Sequence, residues 1–112
     1  MRVGALVIGN DPFFTSQSAE LAAVALRHGM PAAYNNRQFT SAGGLMSYGG
    51  SIIDAYRLAG SYTGRILKGE KAADLPVQRS TKVDFVINLR TAKLFSLTIP
   101  MTLQASADEV IE

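Results

Sequence analysis

Two short apolar runs separated by one helix-length stretch set the terms on which this chain can fold. Val3-Gly4-Ala5-Leu6-Val7-Ile8-Gly9 is continuous, rich in β-branched types and closed by Asn10-Asp11-Pro12, so residues 3–9 are expected to form a buried strand. Residues 16–28 carry Leu21, Val24, Ala25 and Leu26 on one helical face and can be capped by Thr15 or Ser16. Arg27 and His28 fall in the last turn, where positive charge suits the helix dipole, and Gly29 ends it. Pro31-Ala32-Ala33-Tyr34 is then a second short strand. A strand, a helix and a strand in that order form a β-α-β unit, whose crossover implies parallel strands and a right-handed connection.

The rest of the chain continues the α/β pattern. Residues 36–42 are polar with one aromatic, a loop or a single helical turn, and Gly43-Gly44 opens a third strand over 45–48. Ser51-x-x-Asp54 has the form of a capping box with Asp in place of Glu. It starts the longest helix, about 52–68, whose stripe runs through Ile52, Tyr56, Ala59, Thr63, Ile66 and Leu67. The stripe makes Tyr56 a core candidate, and Gly60 and Gly64 beside it suggest close approach of the helix to a sheet. Residues 69–82 form a long loop in which Pro76-Val77-Gln78 could add an edge strand. Residues 83–87 read as a fourth strand, Asn88 caps a short helix through Thr91, Ala92, Leu94 and Phe95, and Leu103, Ala107 and Val110 space as a weak terminal helix.

Composition narrows the function. At 112 residues, with 47% hydrophobic and 18% charged side chains, the chain reads as a single domain able to bury a core. A net charge of +2 with the basic residues dispersed gives no nucleic-acid footprint. Cysteine is absent, which excludes disulfide and thiolate–metal frameworks. No apolar run approaches the ~18 residues of a membrane span. The first nine residues superficially suggest a leader but lack a small-x-small cleavage site, so no export signal is read. His28 is the only histidine, and its place at a helix end explains it without catalysis. Asp11, Asp54, Asp74 and Asp84 lack the pair spacing of a metal or acid–base site, and no GxGxxG follows the first strand. No cofactor is implied, and the inventory hardly supports an enzyme.

Several runs taken in order carry a resemblance. They are Gly9-Asn10-Asp11-Pro12-Phe13-Phe14, Gly43-Gly44-Leu45-Met46-Ser47-Tyr48-Gly49, Asp74-Leu75-Pro76-Val77, Val86-Ile87-Asn88-Leu89-x-Thr91-Ala92-Lys93 and the closing Ala107-Asp108-Glu109-Val110-Ile111-Glu112. Together they resemble the C-terminal third of ABC-type substrate-binding proteins similar to the tryptophan and aromatic amino-acid binders. The resemblance implies a parallel-sheet, three-layer αβα lobe fragment of a type I periplasmic binding protein. It implies a small organic solute and an ABC permease as partners, and a periplasmic site of action; without a leader, the chain as given would stay in the cytoplasm. Ala72 stands where the family usually has Pro, and Asn35 where Pro commonly follows the Tyr. Ser96 replaces a helix-ending Gly, at a cost in stability if that position needs positive φ.

Ligands of open α/β sheets bind beyond the carboxyl ends of the strands. On the resemblance, Asp11 would accept hydrogen bonds from a ligand amine or hydroxyl and Phe13 would cover its apolar part. The alternative makes Asp11 a turn or cap residue and puts Phe13 and Phe14 in the core, the more natural place for Phe14. Ser47, Tyr48 and Gly49 are similarly placed and could supply a hydroxyl, an aromatic face and a backbone N–H; Tyr34 ends the second strand. The surfaces and strand edges left by the absence of the other lobe imply a homodimer or higher oligomer, and a ligand-less, self-associating structural domain is the alternative function.

Overall fold

The computed structural model describes residues 2–112. In chain order the elements are β1 (Leu6–Val7), α1 (Pro12–Ser16), α2 (Ser18–Arg27), β2 (Ala32–Tyr34), α3 (Arg37–Ser41), β3 (Met46–Gly50), α4 (Ile52–Leu67), β4 (Val83–Asn88), α5 (Leu89–Leu94), α6 (Met101–Ser106) and β5 (Glu109–Ile111), with a 3-10 turn at Ala72–Asp74. They divide into two compact units: the chain up to Gly49 together with Asp84–Glu112, and Gly50–Val83.

The first unit is an α/β layer on a five-stranded sheet in the order β1-β2-β3-β4-β5. β1 runs parallel to β2 with Leu6 opposite Ala32, β2 parallel to β3 with Tyr34 opposite Ser47, and β4 parallel to β5 with Val86 opposite Glu109. The remaining pair runs the other way. The Asn88 N–H donates to the Leu45 carbonyl at 2.9 Å, and the rings of Tyr48 and Phe85 meet edge-on at 5.8 Å. Moving three residues forward on one strand thus means three back on the other, the register of an antiparallel pair. The sheet is mostly parallel, as the β-α-β pattern requires, with β3–β4 the exception.

Small residues set how closely α2 can lie on this sheet. Ala22 and Ala25 are buried with Ile8, Ala32, Tyr34 and Phe39, and Leu21 packs against them. Phe39 is fully buried, its ring edge-on to Tyr34 at 5.8 Å and pressed on Gly44, where any Cβ would overlap it. Val86, Ile87 and Ala92 are buried as well. Three of the buried polar side chains that accompany this core, Asn36, Asn88 and Thr91, are tied down. Asn36 caps α3 by accepting from the Gln38 N–H at 2.8 Å. Asn88 caps α5, accepting from Thr91 N–H at 3.1 Å and donating to the Thr40 carbonyl at 3.2 Å. The Thr91 hydroxyl donates to the Gly43 carbonyl at 2.8 Å. Segments almost fifty residues apart are held by side chains that would be costly to bury alone.

Several expectations change here. The first strand is two residues long, not seven, and it is not buried: Val7 is 82% exposed. As an end strand it has one neighbour, and only Ile8 turns into the core. The helix expected over 16–28 is α2, and a separate short helix precedes it, because Asp11-Pro12 acts as an N-cap followed by proline at the first helical position. Val24 and Leu26 stay exposed, since the buried face of α2 follows Ser18, Ala22 and Ala25. His28 is the C-cap of α2, and Gly29 follows at φ 62°. The expected terminal helix stops at Ser106, and residues 109–111 pair with β4 as a fifth strand. Ser96 does sit at positive φ, 56°.

The second unit is α4 with the segment that follows it. The Ser51 hydroxyl caps the helix, accepting from the Asp54 N–H at 3.3 Å. The reciprocal half of the capping box does not form. The Ser51 N–H donates to the Lys82 carbonyl, and the short Asp54 carboxylate accepts instead from Arg57 and, at 2.8 Å, from the Ser80 hydroxyl. Those bonds, led by Ser80 and then Arg57, hold the Asp54 carboxyl below its ordinary range. Tyr62 donates to the Pro76 carbonyl at 2.6 Å, so residues 76–82 return along the helix by polar contacts. They do not form the suggested strand, and Val77 is fully exposed. Glu70 sits on Arg65 with its pKa lowered by that partner. No residue of α4 is buried. Tyr56, expected in a core, is 75% exposed, and a Cβ at Gly60 or Gly64 would meet nothing within 4 Å. The stripe is present in the sequence, but no side chain of this helix is enclosed.

Candidate functional site

All six candidate residues belong to the first unit: Asp11 and Phe13 follow β1, Tyr34 ends β2, and Ser47, Tyr48 and Gly49 lie within β3. After β1 the backbone reaches Asp11 extended, φ −150°, and its Oδ1 accepts from the Phe13 N–H at 2.8 Å. Pro12 gives up nothing at the first helical position, where an N–H has no intrahelical partner. The Asp11 carbonyl is unusually well supplied. The Thr15 N–H donates to it at 3.0 Å, and the Thr15 and Tyr34 hydroxyls lie within reach of it at 3.1 Å and 3.2 Å. The two hydroxyls are 2.8 Å apart and, with one proton each, share these contacts: one donates to the other, which donates to the carbonyl. Asp11 Oδ2 carries no hydrogen bond among the described residues, and the side chain is exposed.

Asp11 is therefore a cap residue, and the two phenylalanines that follow it are not core. Phe13 is 65% exposed and Phe14 lies edge-on to it at 5.9 Å, also exposed. The reason is the early start of α1: a five-residue helix with no buried residue turns both rings outward. Phe13 shares an open groove with Gln17, Glu20, Leu21 and Val24.

Tyr34 lies inside, 3% exposed, with its hydroxyl committed to Asp11 and Thr15. Ser47 is its register partner on β3 and is also buried; its Oγ has no hydrogen-bond partner, and neither does Asn35 Oδ1. Tyr48 falls on the opposite face of β3 by strand alternation and is 66% exposed beside Phe85. At Gly49, any side chain would run into the Asn35 carbonyl oxygen, so the ends of β2 and β3 approach backbone to backbone. The structure thus joins Asp11, Tyr34 and Ser47 through one network and one register, sets Gly49 on Asn35, and keeps Phe13 and Tyr48 as separate exposed rings.

Two residues of this neighbourhood have no clear sequence signal. Thr15 reads as a cap for the next helix, and its link to Tyr34 spans nineteen positions. Asn35 reads only as a departure from a Pro. Chemically, the set offers a free carboxylate oxygen, two buried groups without partners and two aromatic faces, which are the parts of a binding surface. Among the described residues no group of three His, Asp or Glu side chains could hold a metal ion.

Comparison with known proteins bears on what such a surface serves. The model of a family described as "ABC transporter substrate binding protein" matches residues 1–111. No match is found among curated proteins. Among solved structures, an ABC domain from Streptococcus pneumoniae, determined in complex with L-Trp, is 26% identical with a TM-score of 0.86, over 98% of this chain and 37% of that one. A conserved domain protein from Vibrio cholerae shares the fold at 24% identity and a TM-score of 0.80, over 93% of this chain and 34% of that one. A substrate-binding protein with adhesive properties from Clostridium difficile, in a ligand-free open form, does so at 20% identity and a TM-score of 0.62, over 96% and 36%. The chain spans about a third of the length of each of these proteins.

Proposed function

The chain belongs to the ABC transporter substrate-binding protein family, and from that membership we propose that its first unit supplies one face of a site for a small organic solute such as an amino acid. The solute is held for an ABC-type importer and leaves unchanged. The observation that carries this reading is the link from Asp11 to Ser47 through Tyr34, made by a hydrogen bond and by the β2–β3 register, beside the carboxyl ends of β1 and β2, where open α/β sheets take ligands. Asp11 Oδ2 accepts from an ammonium or hydroxyl, the Gly49 N–H and the Ser47 hydroxyl serve the polar end, and Phe13 covers the apolar part, Tyr48 lying on the other face of β3. A relative of the same fold bound to L-Trp supports an aromatic or similarly amphipathic solute. The cognate permease is the protein partner, and the periplasm the place of action.

Thermal unfolding against a panel of amino acids and aromatic acids, L-Trp among them, tests this. A ligand at about 100 times its Kd adds roughly 2.7 kcal/mol and raises Tm by several degrees. No stabilisation by any member of the panel overturns the solute reading.

A second reading, a self-associating structural domain, is favoured by the exposed apolar side chains of Val7 on end strand β1 and of Ile53 and Leu67 on α4. Light scattering at micromolar concentration separates the readings: a compact monomer overturns self-association.

A further inference from the structure

Tyr34 is a ligand-contact candidate by its place at a strand end; its surroundings point to a different task. The ring is enclosed, edge-on to the fully buried Phe39, so the end of β2 fixes where the hydroxyl stands. From there it reaches the Asp11 carbonyl and the Thr15 hydroxyl, residues of a segment that has little else to hold it. α1 is five residues long, buries none of them and is far below the length at which a helix persists unaided. Asp11 and Phe13, the two ligand-facing candidates of this segment, sit at the cap and the second position of that helix.

We propose that Tyr34 is a positioning residue of the solute site. Its hydroxyl anchors the start of α1 and so sets the direction of Asp11 Oδ2 and the Phe13 ring, without itself contacting the solute. The inference rests on the solute reading above and adds a residue role to it. The geometry also says what removing the hydroxyl leaves intact. In Tyr34→Phe the ring still packs on Phe39, and the Asp11 carbonyl keeps both donors of Thr15. The core stays closed while the anchor goes, so the loss falls on the order of the Asp11–Thr15 segment.

Calorimetric titration with L-tryptophan as the probe, on the full chain, tests the link. Tyr34→Phe weakens binding by about 3–10-fold, the equivalent of one ordinary hydrogen bond. In an Asp11→Asn background, where the cap survives but the charge is gone, the same change weakens it by a smaller factor, because only the Phe13 ring is left to misplace. An equal loss in both backgrounds, or none in either, overturns the proposal. Amide exchange at Thr15 and Gln17, whose N–H groups bond within α1, gives a second readout that needs no ligand. Exchange speeds up in Tyr34→Phe and in Thr15→Val if the anchor is real; rates equal to those of the unmodified chain in both variants overturn it. Failure of the unmodified chain to bind any solute in the panel brings down the solute reading instead, and the exchange rates then decide on the anchor by themselves.

Discussion

The two units of this chain solve the same problem in opposite ways. The unit of the chain up to Gly49 and Asp84–Glu112 encloses Phe39, Val86 and Ile87 and is cross-linked by the buried side chains of Asn88 and Thr91. The unit of Gly50–Val83 has a longer helix with a clear apolar stripe, yet none of that helix is buried, and its returning segment is held by Ser51, Asp54 and Tyr62 through hydrogen bonds. The difference teaches that an apolar period marks a face available for packing, while enclosure depends on having something to pack against. The same contrast explains why every candidate ligand residue falls in the first unit: a site needs side chains and backbone held in place by a core.

The sharpest way to break the comparison is to cut a large side chain from each unit. Phe39→Ala should cost about 3–5 kcal/mol in chemical denaturation, because it empties the centre of the first core. Tyr56→Ala should stay within about 0.5 kcal/mol, as expected for an exposed position. Comparable losses would mean that α4 is packed after all.

Next in size is Gly49→Ala. The added methyl meets the Asn35 carbonyl, and overpacking of this kind costs roughly 1–3 kcal/mol by the same measurement. Ser96→Gly should act in the stabilising direction by about 1 kcal/mol, since it relieves a non-glycine residue at φ 56°; an unchanged denaturation midpoint would show that the strain is absorbed elsewhere.

Acid should act most gently, and in the second unit. Asp54 has its pKa lowered by Ser80 and Arg57, so the link it makes is fully present above the ordinary carboxylate value and is lost as pH falls through the lowered one. The protection of the Asp54 and Ala55 amides, referred to the intrinsic exchange rate at each pH, should therefore fall only below about pH 4. A loss of protection near neutrality would assign it to another group.

Much of this is legible in the residues. Gly43-Gly44 and Ser51 bracket β3 and start α4 within a residue of the positions their chemistry suggests, and Asn88 caps α5 as its place before Thr91 implies. The places of Asp11 just after β1 and of Tyr34 at the end of β2 follow from the order of runs alone. What stays hidden has physical causes. Asp-Pro is equally good at ending a strand with a turn and at starting a helix, and here it starts α1. Leu103, Ala107 and Val110 have helical spacing, but Val110 belongs to a strand whose formation depends on β4 being beside it. The antiparallel β3–β4 pair and the bond from Tyr34 to Asp11 join residues far apart in sequence, so no local pattern records them. The half-formed capping box at Ser51 turns on Ser80, twenty-six residues beyond Asp54.

Residue-resolved amide NMR shifts during addition of L-tryptophan test the central claim most directly. The account predicts saturable changes concentrated at Asp11, Phe13, Ser47, Tyr48 and Gly49, with α4 little affected. Saturable changes centred on Gly50–Val83, or a spectrum that L-tryptophan leaves unaltered at every residue, would contradict it.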